Sequence, residues 1–188
     1  LAFIALGTGI GMGLLADGNL VRGAHGAAAE IGYLPIAADP FDRRNVTEGT
    51  FESVVGTVGI LRRYREAGGG PVDGVKGIIE SMKNGDKIAR AIIEDTARWT
   101  AIGIATVAAL FDPELVVLGG GIGTRPEMVS GIEANLARCL LRPVPVAASP
   151  LENRATLMGA IATGLDRVYG HAFGIRFLPG RALISEAA

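Results

Sequence analysis

Leu6-Gly7-Thr8-Gly9-Ile10-Gly11 follows the apolar run from Leu1 to Leu6 at the start of the chain. A second apolar run covers Met12 to Ala16, and Asp17-Gly18-Asn19 then supplies a turn before Leu20 to Arg22. Apolar runs separated by glycine-rich turns are typical of consecutive β-strands. The beginning of the chain therefore predicts antiparallel strands joined by tight turns.

The rest of the sequence alternates predicted helices with short strands. Helical spacing and stop signals predict helices at Thr50–Glu66, Asp73–Lys83, Asp86–Asp112, Glu127–Leu141 and Arg154–Tyr169. Predicted strands cover Leu115–Leu118 and Val144–Ala148. Strands first, then alternating helices and strands, predict an α/β domain with a mixed sheet flanked by helices.

Two helices carry specific packing predictions. On the long helix, Asp86 is the predicted N-cap. One apolar stripe of this helix is predicted to face the core, formed by Ile88, Ile92, Trp99, Ile102, Thr106 and Ala109. Trp99 is predicted to lie in the core or in an interface. On the last helix, the predicted packing residues are Leu157, Ile161 and Leu165.

Composition and charge restrict the functional class. The chain has 188 residues, 49% of them hydrophobic and 20% charged, which suits one globular domain. A net charge of −1 with scattered basic residues argues against nucleic-acid binding by this segment. Cys139 is the only cysteine, so no internal disulfide or multi-cysteine zinc site can form, and a cytoplasmic location is expected.

Two further features concern the membrane and the chain start. The apolar stretch from Ala101 to Leu118 is interrupted by Asp112-Pro113-Glu114, which predicts no transmembrane segment. The sequence opens at Leu1 within a predicted strand, so we expect it to be a fragment of a longer protein.

A glycine-rich loop with one carboxylate follows the first strands, over Gly23 to Tyr33. Glu30 has small apolar neighbours, and because burying an unpaired carboxylate is costly, it must face solvent, a cation or a hydroxylated ligand. The glycine alternation Gly7-Thr8-Gly9 is compatible with a tight hairpin without ligand, or with a turn that binds phosphate through its N–H groups. Together these segments predict a site for a sugar and a nucleotide.

These segments resemble the ROK family of sugar kinases and sugar-responsive transcriptional repressors, which have an actin-like, ribonuclease-H-like ATPase fold. The segments with family counterparts are Leu6–Gly13 (second phosphate hairpin), Gly23–Tyr33 (sugar-binding signature), Gly49–Glu52 (end of the zinc loop), Val116–Gly121 (adenosine-side strand and turn) and Leu157–Ala160 (closing helix). The resemblance implies that residues 1–188 form the C-terminal lobe. The N-terminal lobe, with the catalytic Asp, is absent from this sequence, so the chain alone is not expected to phosphorylate a substrate.

The resemblance also assigns roles to individual residues. It implies sugar contacts at Glu30, Tyr33 and Glu52, and nucleotide contacts at Gly7, Thr8, Gly9, Gly119, Gly120 and Gly121, with no catalytic residue in this lobe. Simpler roles remain open for several of them. Glu52 is also compatible with a surface acid at a helix start, Tyr33 with a packing residue, and the triple glycine with a plain strand-to-helix turn.

The zinc-binding residues of the family are missing here. Tyr33 stands where the family pattern has His, and the segment from Asp39 to Thr50 contains no cysteine. A zinc site without thiolate and imidazole ligands lacks the donors that zinc requires, so no zinc is predicted. Arg43-Arg44 is interpreted as a solvated loop tip, and His25 as an exposed loop residue.

The leading functional hypothesis is the sugar-binding effector lobe of a ROK-type transcriptional regulator. The alternative is the C-terminal lobe of an ATP-dependent hexose or N-acyl-hexosamine kinase, which would use ATP with Mg²⁺ in the full-length protein. A third hypothesis is a structural lobe without ligand. The expected partners are a small-molecule sugar, DNA only through a missing N-terminal domain, no membrane, and a second copy in a homo-oligomer.

Overall fold

A five-stranded mixed sheet forms the centre of the domain. The computed structural model describes residues 1–151 and 154–174. The strands are β1 (Ala2–Leu6), β2 (Ile10–Ala16), β3 (Asn19–Leu20), β4 (Val116–Gly119) and β5 (Val146–Ala148). Their order across the sheet is β3-β2-β1-β4-β5.

The pairing confirms the mixed sheet that the sequence predicts. Strand β1 pairs with β2 in antiparallel register, with Leu6 opposite Ile10. The β1–β4 and β4–β5 pairs are parallel, with Ala2 opposite Val116 and Val116 opposite Val146. Parallel pairing places the carboxyl ends of β1 and β4 at the same edge of the sheet, so the turns that follow them meet there.

Helices flank this sheet. The 3₁₀ helix η1 (Ile31–Tyr33) precedes α1 (Arg43–Glu48), α2 (Glu52–Val55), α3 (Thr57–Glu66), α4 (Gly74–Lys83), α5 (Lys87–Phe111), α6 (Gly120–Gly123), α7 (Pro126–Cys139) and α8 (Ala155–Phe173). The core is formed by apolar residues of β1 and β4, including Ile4 and Leu118, packed against α2 to α5 and α7. This core supports the strand ends and helix starts that carry the candidate site.

The predicted helix over 50–66 is in fact two helices. Gly56 separates α2 from α3 with an extended ψ of 162°. The break places the Thr57 N–H 3.1 Å from the carbonyl oxygens of both Gly7 and Thr8. Tertiary hydrogen bonding to the β1–β2 hairpin therefore interrupts a segment whose apolar spacing predicts one continuous helix.

The long helix α5 begins and ends as predicted, but its buried face is different. Asp86 caps it by accepting hydrogen bonds from the N–H groups of Ile88 and Ala89, and Asp112 ends it in the left-handed conformation with φ 42°. The buried residues are Ala89, Ile93, Thr96, Ala97, Thr100, Ala101, Gly103, Ile104 and Val107. The predicted stripe, including Trp99, lies beside this face: its members are partly buried except for Ala109, which is exposed. Small residues on the buried face allow α7 and Phe51 to pack closely there instead.

Asp86 also links α5 to α3, and this link gives a pH-dependent prediction. The Tyr64 hydroxyl donates a hydrogen bond to Asp86 Oδ2 at 2.6 Å. This bond, followed by the Ala89 N–H, lowers the pKa of Asp86 below its usual 3.8. A carboxylate whose pKa is lowered by folding stabilises the fold above its unfolded pKa, and that stabilisation is lost as the pH falls through the folded pKa.

We therefore expect the free energy of unfolding to decrease in acid partly through Asp86. Asp86→Asn keeps a residue that caps helices well but removes the charge. Urea unfolding of both proteins at a series of pH values from neutral to below 3.8 measures the effect. The stability difference between them should shrink as the pH falls. A difference that is constant over this range would contradict the assignment.

Helix α8 leaves its apolar face uncovered by the described part of the domain. The predicted packing residues Leu157, Ile161 and Leu165 are 60%, 47% and 40% exposed, and no residue of α8 is buried. The prediction that these three residues are packed is therefore wrong, as far as the described residues 1–151 and 154–174 are concerned. Helical periodicity fixes which residues share a face, but it does not say whether a neighbouring element covers that face.

None of the described helices combines the length and the apolar character needed to cross a membrane.

Candidate functional site

Glu52 is attached to the β1–β2 hairpin. It occupies the first position of α2, and its Oε2 accepts a hydrogen bond of 2.9 Å from the N–H of Ile10. The carboxylate lies so close to Gly9 that a side chain at Gly9 would overlap it. The glycine of the hairpin is thus needed for close approach, and the carboxylate is fixed beside the hairpin tip.

A second contact joins η1 to the start of α2. The Phe51 N–H donates to the carbonyl oxygen of Gly32 at 3.0 Å. Gly49 has a φ of +87°, and a Cβ there would lie 2.7 Å from the same carbonyl oxygen. Only glycine tolerates both the positive φ and the close approach of this carbonyl oxygen. These contacts hold Tyr33, at the end of η1, and Glu52 in neighbouring positions although they are distant in sequence.

The hairpin tip is held by α3 and retains free hydrogen-bond donors. The Thr57 hydroxyl donates to the Gly7 carbonyl oxygen at 2.9 Å, in addition to the Thr57 N–H. The Gly7 N–H donates to the Gly9 carbonyl oxygen at 2.9 Å. Within the described chain, the N–H groups of Thr8 and Gly9 have no acceptor. A turn fixed in this way with two free N–H groups can bind an anion.

A cavity of about 660 Å³ lies between the hairpin, η1, α1, α2 and α3. Its size is within the range of small-molecule sites. Its lining residues are Thr8, Gly9, Tyr33, Arg44, Asn45, Thr47, Glu48, Glu52, Ser53, Gly56, Val58, Gly59 and Arg62. The structure therefore brings four of the predicted site residues together, namely Thr8, Gly9, Tyr33 and Glu52.

The other five predicted residues do not line this cavity, namely Glu30, Gly7, Gly119, Gly120 and Gly121. Glu30 is exposed and immediately precedes η1, where its backbone carbonyl accepts a hydrogen bond from the Tyr33 N–H. Gly7 lies behind the hairpin tip, with its carbonyl bonded to Thr57. A sugar contact at Glu30 and a nucleotide contact at Gly7 stay predictions.

The cysteine-free segment after η1 contains a helix, α1, that is not among the helices predicted from the sequence. Asp42 caps α1 by accepting a hydrogen bond from the Arg44 N–H at 2.8 Å. The interpretation of Arg43-Arg44 as a loop tip is therefore wrong, since both lie in the first turn of α1 and Arg44 lines the cavity. An Asp before a run of residues without glycine or proline was the available signal for this short helix.

Arg63 fixes the position of α2 and α3 on the core. Its Nη1 forms an ion pair of 2.8 Å with Asp95 of α5, and its Nη2 donates to the Val54 carbonyl and to the Thr96 hydroxyl. Burial lowers the pKa of Arg63, and the neighbouring Asp95 partly offsets this. This partly buried arginine thus ties the break between α2 and α3 to the long helix.

The second predicted glycine turn lies at the same sheet edge. Gly120 begins α6 with a φ of +79°, and a side chain there would overlap the Leu6 carbonyl oxygen. A Cβ at Gly7 would lie 3.8 Å from the Gly121 N. Gly121 is exposed, with no atom near its Cβ position. The two glycine turns are therefore adjacent at the carboxyl ends of β1 and β4, which is where α/β folds commonly bind ligands.

The described ranges contain no cluster of three or more His, Cys, Asp or Glu side chains that could hold a metal ion. The predicted absence of zinc stays a prediction.

Comparison with known proteins identifies the family. The model of the ROK family matches residues 1–166. The chain belongs to the ROK family. The predicted fold is confirmed as well, because the mixed sheet with flanking helices matches the actin-like ATPase structures of ROK kinases.

Relatives with this architecture include enzymes and a regulator. A glucokinase of Streptomyces coelicolor is 31% identical over 179 residues, covering 84% of this chain and 56% of that enzyme. The crystal structure of a ROK family glucokinase from Streptomyces griseus, in complex with glucose and AMPPNP, has a TM-score of 0.70 at 27% identity, covering 85% of this chain and 58% of the other.

A ROK family transcriptional regulator, a homologue of the E. coli MLC protein, has a TM-score of 0.67 at 25% identity. That match covers 85% of this chain and 44% of the regulator. The chain spans about half the length of the curated relatives it matches.

Proposed function

We propose that this chain is the C-terminal lobe of a ROK sugar kinase and that its cavity binds a hexose. The main support is the convergence of Glu52, Tyr33 and the hairpin tip on one cavity. A carboxylate and a phenol are suitable partners for sugar hydroxyls, and free N–H groups are suitable partners for a phosphoryl group. The likeness to glucokinases favours this function over the regulator, which is the leading hypothesis from the sequence alone.

In this proposal each residue has a limited task. Glu52, held by the Ile10 N–H, accepts hydrogen bonds from sugar hydroxyls through its remaining lone pairs. Tyr33 takes the place of the family's imidazole at the same sugar. Thr8 and Gly9 orient phosphate through their N–H groups, and Gly119, Gly120 and Gly121 border the adenosine. Glu30 lies outside this cavity, so a sugar contact at Glu30 stays a prediction from the family resemblance.

ATP supplies the phosphoryl group that is transferred. The turn at Gly121 is open, with no side chain that would block a ribose, and the free N–H groups of Thr8 and Gly9 can donate to phosphate oxygens. We assign no residue to Mg²⁺, which is held largely by phosphate oxygens and water in such reactions. The catalytic base belongs to the other half of the protein, and the proposed location is the cytoplasm.

A regulator is the second candidate. Its support is the altered segment after η1, where α1 replaces a cysteine-rich zinc loop, together with the likeness to a ROK regulator. In that case the sugar would change the arrangement of the protein, and a domain encoded upstream would contact DNA.

The full-length protein separates the two candidates. We expect it to consume ATP only when a suitable hexose is present and to release a sugar phosphate, measured by a coupled assay over a hexose panel and by mass spectrometry. Absence of turnover, with hexose-dependent release from DNA, would establish the regulator instead. The upstream coding sequence offers a rapid check, because a helix-turn-helix pattern supports the regulator and an Asp-x-Gly-Gly-Thr hairpin supports the kinase.

A further inference from the structure

Two arginines line the cavity and have no assigned role in sugar binding. Arg44 lies on α1 and Arg62 on α3, so they reach the cavity from separate elements. Arg62 shares its helix face with Val58 and Gly59, which also line the cavity. The cavity therefore receives two permanent positive charges from parts of the chain that flank the hairpin.

Both guanidinium groups are available to a ligand. Arg62 donates one hydrogen bond, from Nη2 to the Ser53 carbonyl at 3.1 Å. Over the described residues, neither Arg44 nor Arg62 forms an ion pair with a carboxylate, although Glu48 and Glu52 line the same cavity. Most of their donors are consequently uncommitted, in contrast to Arg63, which is paired with Asp95.

The neighbourhood of the hairpin makes such charges useful. The N–H groups of Thr8 and Gly9 are free, but the Glu52 carboxylate lies against Gly9. A phosphoryl group at this turn would be repelled by that carboxylate unless cations were close by. Arginine is well suited to compensate, because its planar fork donates two parallel hydrogen bonds to phosphate oxygens and its charge is permanent.

We propose that Arg44 and Arg62 bind a phosphoryl group in this cavity, together with the N–H groups of Thr8 and Gly9. The inference rests on the proposed function for the identity of the cavity and adds the residues that recognise the anion. Either of two ligands can supply this phosphoryl group: a phosphorylated sugar, or a nucleotide through its terminal phosphate. Glu52 and Tyr33 then contact the neutral polyol, so the cavity has an anion-binding part and a hydroxyl-binding part.

Calorimetric titration of the full-length protein tests this assignment. The ligands are glucose, glucose 6-phosphate and AMPPNP, each titrated separately. The variants are Arg44→Gln and Arg62→Gln, with matched controls Arg43→Gln on α1 and Arg65→Gln on α3, whose side chains are exposed and do not line the cavity. The loss of one charge-assisted contact should lower the affinity for the phosphorylated ligand about tenfold. The control variants should bind all three ligands with affinities within twofold of wild type. The Arg44 and Arg62 variants should bind glucose with an affinity within twofold of wild type.

The ligand whose binding becomes weaker in the variants identifies the source of the phosphoryl group. Weaker binding of glucose 6-phosphate alone supports a phosphorylated sugar, and weaker binding of AMPPNP alone supports the nucleotide. Unchanged affinity for both, or a wild-type protein that binds neither, would overturn the role of the arginines. Failure of wild type to bind any hexose tests the proposed function separately. Unchanged glucose binding by the variants shows that they are folded.

Discussion

Glu52→Gln is expected to weaken hexose binding by about 10- to 100-fold. The reason is the loss of a carboxylate that is fixed by the Ile10 N–H at 2.9 Å and faces the cavity. Hydrogen bonds to charged groups contribute about 1.5–3 kcal/mol, roughly twice the value of neutral ones. Glutamine keeps the size of the side chain and can still accept from Ile10, so the change removes the charge with little effect on the hairpin. Calorimetry with the full-length protein and a hexose measures it.

Glu48→Gln is the matched control for this experiment. Glu48 is at the end of α1 and lines the same cavity, but it is exposed and has no hydrogen bond to the hairpin. We expect its removal to change hexose affinity by less than a factor of about three, as for exposed charges that are not fixed. Equal losses in the two variants would show that only the overall charge of the cavity matters and that Glu52 has no special position.

Phe51→Ala is expected to destabilise the domain by about 3–5 kcal/mol, the usual cost of truncating a fully buried phenylalanine. Phe51 is 0% exposed, and its ring packs against Gly103 of α5, where a Cβ would lie 2.7 Å from its Cζ. Its N–H also bonds to the Gly32 carbonyl oxygen. Because Glu52 is the next residue in the chain, the packing void that alanine leaves should also loosen the sugar site. Urea unfolding followed by circular dichroism gives the change in free energy.

Phe41→Ala provides the comparison on the same type of side chain. Phe41 is 91% exposed, and its truncation should change stability by no more than about 0.5 kcal/mol. Similar losses for Phe41 and Phe51 would contradict the burial on which the prediction depends. A large loss of stability for Phe51→Ala without any change in hexose affinity would separate its role in the core from its role beside Glu52.

Several elements could be predicted from local sequence because their causes are local. The hairpin strands, the Asp86 cap and the end of α5 at Asp112 depend on glycine, capping chemistry and apolar runs within a few residues. The order of strands and helices likewise predicted a mixed sheet, because parallel pairing needs the crossover that α5 supplies.

Other features depend on partners that are distant in sequence. The break at Gly56 results from hydrogen bonds between Thr57 and the hairpin, about 50 positions away. The packing of Phe51 and α7 decides which face of α5 is buried, whereas no described element buries the apolar face of α8. Hydrophobic periodicity contains no information about these neighbours.

The sequence by itself determined the composition of the site: which glycines allow close approach, which carboxylates and donors exist, and which zinc ligands are missing. Only the tertiary structure decided which of them share a cavity. It placed Glu52 against Gly9 and added Arg44 and Arg62, while Glu30 stayed outside. The physical reason is that residue type and spacing fix local conformation, whereas a binding site forms from long-range hydrogen bonds and packing between separate elements.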